Sequence, residues 1–237
     1  MNSKNQLLCI WGGYAFLPVY AIGFALFAGF VPIPSPNLNG GQIAALFEAN
    51  QTRILIGQIF CVYASASLVP WSVAIFNLLI RIEDKPHLLS HVQLTAGALG
   101  VVFFMAPSFV WGTMAFRIGH SPEIMLVLSD LAWIAWVISV PTFILQLFVI
   151  GYCTLTSTRE RNLIPRWLAW LSIWTGITLM PADVVLLFKS GPFAWNGLIA
   201  VYLPMTLYVI WYHSMLFVLL KVVKAQQPSN TESLVTV

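Results

Sequence analysis

The sequence predicts an all-α integral membrane protein, a bundle of six proline-kinked transmembrane helices with both termini cytoplasmic. Three observations predict it. Hydrophobic residues make up 59% of the 237 and charged residues 8%, against about 45–50% and about 25% in soluble domains. The mean hydropathy is +0.85. The apolar residues gather into six runs, each long enough for the ~20 residues that a span needs. Each run also carries a proline (Pro18, Pro70, Pro107, Pro141, Pro181 and Pro204). Inside a soluble helix a proline is disruptive, but in a membrane bundle neighbouring helices and Ser/Thr side chains satisfy the freed carbonyl.

Span 1 is expected over 8–30. It exceeds the ~7–15 residue core of a signal peptide and no A-x-A-like site follows, so it reads as a retained span. The next segment, 31–53, opens with Val31-Pro32-Ile33-Pro34-Ser35-Pro36, an extended stretch. A short interfacial helix is expected over 42–49. Asn50-Gln51-Thr52 has the pattern of a glycosylation site but lies against span 2 and reads as a chance match. Span 2 is expected over 54–82. Span 3, over 88–116, holds the small residues Thr95, Ala96, Gly97, Ala98 and Gly100, which suit close helix contact. Ser121-Pro122-Glu123 reads as a helix start, with Ser as cap and Pro at the first helical position. Spans 4, 5 and 6 follow over 124–155, 167–188 and 196–220. Residues 1–224 thus form one polytopic domain, and the polar residues 225–237 a disordered cytoplasmic tail. The Val-Pro pairs of spans 2 and 4 and the Met-rich proline segments of spans 3 and 5 hint at a duplication, but the remaining residues match poorly.

Charge sets the orientation. Lys4, Arg81, Lys85, Arg159, Arg161, Arg166, Lys221 and Lys224 fall on the side of the termini, and Arg53, Arg117 and Lys189 on the other. The positive-inside bias places the termini in the cytoplasm of a cell with a plasma (inner) membrane. Without a basic cluster, the net charge of +3 gives no reason to expect nucleic acid. Cys9, Cys61 and Cys153 lie in apolar spans without metal or disulfide spacing. His87 and His91 read as an ordinary helix start, and His213 lies at a different depth, so no metal or other cofactor is expected. Nucleotide-binding, hydrolase and metalloprotease motifs are absent. Trp167, Trp170, Trp174, Trp111 and Trp195 sit near span ends and read as an interfacial belt.

Lipid rewards apolar surface, so polar stripes should face the bundle interior. Gln58, Ser65 and Ser72 are seven apart on span 2 and share a helical face. The same arithmetic aligns Ser172, Gly176 and Asp183 on span 5, Thr206 and His213 on span 6 with Tyr202 flanking, and Glu123 and Asp130 on span 4. Asp183 and Asp130 lie roughly 8 Å and roughly 13 Å outward of their span centres at ~1.5 Å per residue. An acid at the bilayer centre costs about 2.5–3.5 kcal/mol on insertion scales. The leading expectation is a polar cavity, open to the outer face, that binds or moves a small lipophilic or amphipathic molecule. Asp183 and Asp130 would anchor it, and Gln58, Ser65, Ser72, Ser172 and Tyr202 would line it. Two alternatives stand beside it. One is an embedded enzyme using the two acids as acid and base on a lipid-soluble substrate. The other is an accessory subunit whose partner is another membrane protein. Membrane lipid is a partner in every case. In the bland reading, Asp183 pairs with Lys189 or caps a bent helix.

Overall fold

A computed structural model of the chain describes residues 3–157 and 163–226. Among these, six helical segments are long and apolar enough to cross a membrane: Ser3–Phe27, Gln51–Leu79, Leu88–Phe116, Pro122–Thr156, Arg166–Leu187 and Leu198–Lys224. The chain is an all-helical, multi-pass integral membrane protein. Spans 1 and 2 begin earlier than hydropathy suggests because polar first turns extend them beyond the apolar run. Arg159, Arg161 and the tail from 227 lie outside the described residues.

The prolines mark where spans change geometry. Span 1 is an α-helix over Ser3–Tyr14, a second over Phe16–Ala21 and a π-helix over Ile22–Phe27. Span 2 divides into Gln51–Ala66 and Leu68–Leu79, and span 4 into Pro122–Ile138 and Pro141–Thr156. Span 5 changes from α-helix to 3-10 helix at Met180–Leu187, and span 6 begins as a π-helix over Leu198–Tyr202. In each case the proline falls in the first turn of the new segment, where its missing N–H costs little. Only Pro107 lies inside an unbroken helix, Leu88–Phe116.

Spans 1 to 4 pack through small residues. A Cβ at Gly57 would lie 2.5 Å from the Gly23 carbonyl oxygen, and one at Gly23 2.7 Å from that of Gly57. The backbones of spans 1 and 2 therefore cross in direct contact, which only glycine permits. At Gly97, a Cβ would fall 2.2 Å from Ser72 Oγ and 2.4 Å from Gln146 Nε2. Spans 2, 3 and 4 meet there, as the small-residue cluster of span 3 predicts.

The loops hold the ends of the bundle. On the face of the termini, the Glu83 carboxylate accepts the backbone N–H groups of Leu89 and Ser90, each at 2.8 Å, and the Ser90 hydroxyl. It caps span 3, where the helix dipole favours an anion. Burial raises its pKa, but the bonds from Ser90 and the two backbone amides, with His87 nearby, outweigh that and hold it below the usual carboxylate range. On the opposite face the interfacial helix runs Gly40–Ala49, two residues longer than expected, because Asn39 and Gln42 close a capping box before it. Ser121 caps span 4 and Pro122 opens it, as read from the sequence. The strand-like 31–39 segment is tied to span 6 by the Ile33 N–H donating to Tyr202 Oη at 3.2 Å, and by Trp195 Nε1 donating to the Pro34 carbonyl at 2.9 Å.

Candidate functional site

Phe16, Tyr20 and Phe24 are four residues apart on span 1 and therefore project from one helical face. Successive ring centroids lie 5.4 and 5.7 Å apart. Phe104 of span 3 meets Tyr20 edgewise and Phe16 at a tilt, at 4.9 Å from each. Phe24 stacks on Trp136 of span 4 at 5.0 Å and 15°. Phe143, just past the break in span 4, continues the wall to Tyr208 of span 6 at 5.9 Å. These rings border a cavity of about 450 Å³ lined by residues from spans 1, 3, 4, 5 and 6. That size is within the range of about 300–1,000 Å³ for small-molecule sites.

The backbone explains why the space is there. Pro18, Ser139, Val140 and Pro204 all line the cavity, and all belong to the breaks in spans 1, 4 and 6. The outer half of span 1 packs against span 2, and the start of span 6 packs against the 3-10 end of span 5. The two halves lean on different neighbours and leave a gap between them. A regular helix would present every 3.6th residue to its partner, whereas a π-turn and a proline shift that register.

The cavity wall is almost wholly apolar, and most of its polar side chains have defined partners. Trp136 Nε1 donates to Tyr20 Oη at 3.0 Å. Ser139 Oγ donates to the Ala135 carbonyl in its own helix. At the end nearer the termini, Tyr14 Oη and His213 Nε2 are 2.9 Å apart, and His213 Nδ1 is 2.8 Å from the Val209 carbonyl. A carbonyl only accepts, so Nδ1 carries the hydrogen. In the neutral imidazole Nε2 is then bare and accepts the Tyr14 O–H. Among the described residues, no Asp, Glu, Lys or Arg lines the cavity.

None of the seven residues expected to form a polar cavity lines this one. Gln58, Ser65, Ser72 and Ser172 are buried, as their spacing predicts, but between helices. Ser65 Oγ donates to the Cys61 carbonyl at 2.7 Å. Ser172 Oγ donates to the Leu168 carbonyl at 2.8 Å and accepts the Trp211 indole N–H at 2.8 Å. Ser72 lies against Gly97 and Gln146. Ser65 and Ser172 thus bond to the carbonyl one turn back and need no cavity, whereas Ser72 Oγ and the Gln58 amide are buried without a hydrogen-bond partner among the described residues. Tyr202 is half-buried and accepts from the 31–39 segment.

Asp183, expected to face the interior, is exposed. The reason is the 3-10 helix that carries it. A rise of ~2.0 Å per residue in place of ~1.5 Å moves Asp183 farther outward, and the tighter turn rotates it off the α-helical face. Asp130 is half-buried.

Two sequence signals pointed to the observed site without being read as such. One was the four-residue aromatic spacing of Phe16, Tyr20 and Phe24. The other was the proline in each of spans 1, 4 and 6. The histidine set aside as isolated, His213, is the cavity's polar end. The chain matches no protein-family model, no curated protein and no solved structure, so the site is interpreted from its own geometry.

Proposed function

We propose that this protein binds a lipid-soluble molecule inside the membrane, in the aromatic cavity between spans 1, 3, 4, 5 and 6. The observation that carries the reading is a cavity of about 450 Å³ with an almost entirely apolar, aromatic wall. An ion entering it would lose hydration and meet no countercharge, which costs several kcal/mol or more. An apolar body would replace empty space by dispersion contacts with aromatic rings. The site is thus suited to hydrocarbon and unsuited to ions or sugars. We also propose that the face bearing the termini is cytoplasmic, on the lysine and arginine bias between loops.

Photolabelling tests the binding reading. A diazirine-bearing fatty acid is photolysed with the purified protein in lipid nanodiscs, and adducts are mapped by mass spectrometry. Adducts should concentrate on peptides containing Phe104, Phe143 and Tyr208, and should be competed by membrane lipid extract. Adducts confined to the outward residues Leu26, Leu187 and Phe217, which are 68%, 79% and 69% exposed, would show only general contact with lipid and overturn the reading.

A further inference from the structure

The Tyr14–His213 pair is the feature of the cavity that an apolar ligand does not explain. Two hydrogen-bonding side chains from spans 1 and 6 meet at the wall of an otherwise aromatic space. Their bond is oriented. Val209 fixes the hydrogen on His213 Nδ1, leaving Nε2 to accept the Tyr14 hydrogen. Tyr14 has then spent its only donor. Its oxygen keeps lone pairs, so the pair presents an acceptor to the cavity and no donor. Neighbouring rings hold it in place: His213 meets the Tyr14 ring edgewise at 5.5 Å, and Tyr212 lies 6.3 Å from it.

Resting on the reading of the cavity as a ligand site, we propose that its ligand is a lipophile with a hydroxyl head, an alcohol or phenol whose O–H donates to Tyr14 Oη. The complementary class, the same body ending in an ether, ester or ketone, offers only acceptors. It would set lone pairs against the Tyr14 oxygen in a space with little water to separate them. Removing a donor from a ligand that is read by a buried acceptor leaves that acceptor unpaired, which is the stronger form of discrimination. Elsewhere the wall carries the Tyr20 and Tyr208 hydroxyls, and the remainder discriminates by shape and apolar area.

The test uses two probes with one body, 4-dodecylphenol and its methyl ether, which differ by the O–H. Binding to the full-length protein in nanodiscs is measured by equilibrium dialysis and corrected with protein-free nanodiscs. The phenol should bind about tenfold tighter than the ether, the factor equivalent to one net hydrogen bond. Tyr14→Phe should narrow the ratio through weaker phenol binding, with ether binding equal or tighter, and retained ether binding reports an intact cavity. If Tyr14→Phe does not fold, His213→Phe frees the Tyr14 hydrogen to serve as a donor and should narrow the ratio through tighter ether binding. Tyr63→Phe, an exposed position on span 2 that is no part of the cavity wall, should leave the ratio as it is. Equal binding of the two probes to the native protein overturns the inference and leaves the cavity reading standing. So does a ratio that survives both dyad variants, or one lost in Tyr63→Phe. Binding of neither probe overturns both readings.

Discussion

The bundle has two regions built on different rules. Where spans 2, 3 and 4 meet, glycine lets the helices close until Ser72 and Gln146 press on the Gly97 backbone, and polar side chains are buried in the contact. Between spans 1 and 6, the helices are broken by prolines and π-turns, and aromatic rings surround open space. Polarity in the first region is a packing device. In the second, the irregular backbone creates the site and aromatics finish it. In a membrane, therefore, a stripe of Ser and Gln is weak evidence for a cavity, because such side chains are also buried in helix contacts, some bonded to their own helix as Ser65 is. Helix breaks in several spans that line one space are better evidence, because they remove the contacts that would fill it.

The sharpest way to break this comparison is to enlarge one residue in each region. Gly57→Leu places a side chain where the Gly23 backbone already lies, and neither backbone can give way. It should destabilise by about 3 kcal/mol and greatly reduce the yield of folded protein on size-exclusion chromatography in detergent. Ala25→Trp, which adds volume on the cavity wall, should leave the melting temperature almost unchanged and reduce labelling by the diazirine fatty acid about tenfold. Equal destabilisation by the two would mean that the cavity is closed in the folded protein.

The six spans were legible because hydropathy and length depend on the solvent, and lipid admits few alternatives. The short helix 40–49 and the cap at Ser121 were legible because they rest on local chemistry. What the sequence hid depends on helix geometry between fixed points. Asp183 was assigned an interior face by counting at 100° per residue, and the 3-10 turn after Pro181 made that count wrong. Tyr14 and His213 lie 199 residues apart, and nothing local to either indicates the other. Prolines gave the depth of each irregularity without saying which spans would part there.

Within the packed region, hydroxyls that bridge helices should matter more than those that serve their own helix. Ser172→Ala leaves the fully buried Trp211 indole N–H without its acceptor across spans 5 and 6. It should cost about 1.5 kcal/mol, near the upper end for interhelical hydrogen bonds in membranes. Ser65→Ala frees only a carbonyl that the helix already uses, and should stay within about 0.5 kcal/mol. Thermal unfolding of the two variants in the same detergent checks the difference.

The cap on span 3 offers a pH-dependent contrast. Glu83 is held below the usual carboxylate range by Ser90 and the amides that it caps. A carboxylate with a depressed folded-state pKa stabilises the fold above its unfolded value of about 4.3, and that contribution fades as pH falls through the folded value. Glu83→Gln should lower stability by about 1 kcal/mol at neutral pH. Its melting temperature should approach that of the native protein as the pH is lowered below about 4.3. A constant gap between the two across that range would mean that the carboxylate's charge has no part in capping.

The smallest effect is expected at Asp183, and it decides between the two readings of the bundle. An acid within a span is costly when it faces hydrocarbon at the bilayer centre, and much less so near the headgroups, where it meets water. Asp183 lies on the 3-10 turn four residues before the end of span 5, and it is exposed. Asp130 sits on span 4 and is half-buried. Asp183→Asn should then change stability by less than about 0.5 kcal/mol, as surface substitutions do, and leave the phenol and ether binding unchanged. Asp130→Asn, at a half-buried position, should stay within about 1 kcal/mol. Phenol binding to each variant and the thermal midpoint are measured together. Loss of binding in Asp183→Asn at unchanged stability would return the acids to the ligand site and move the functional region from the seam of spans 1 and 6 to the outer ends of spans 4 and 5.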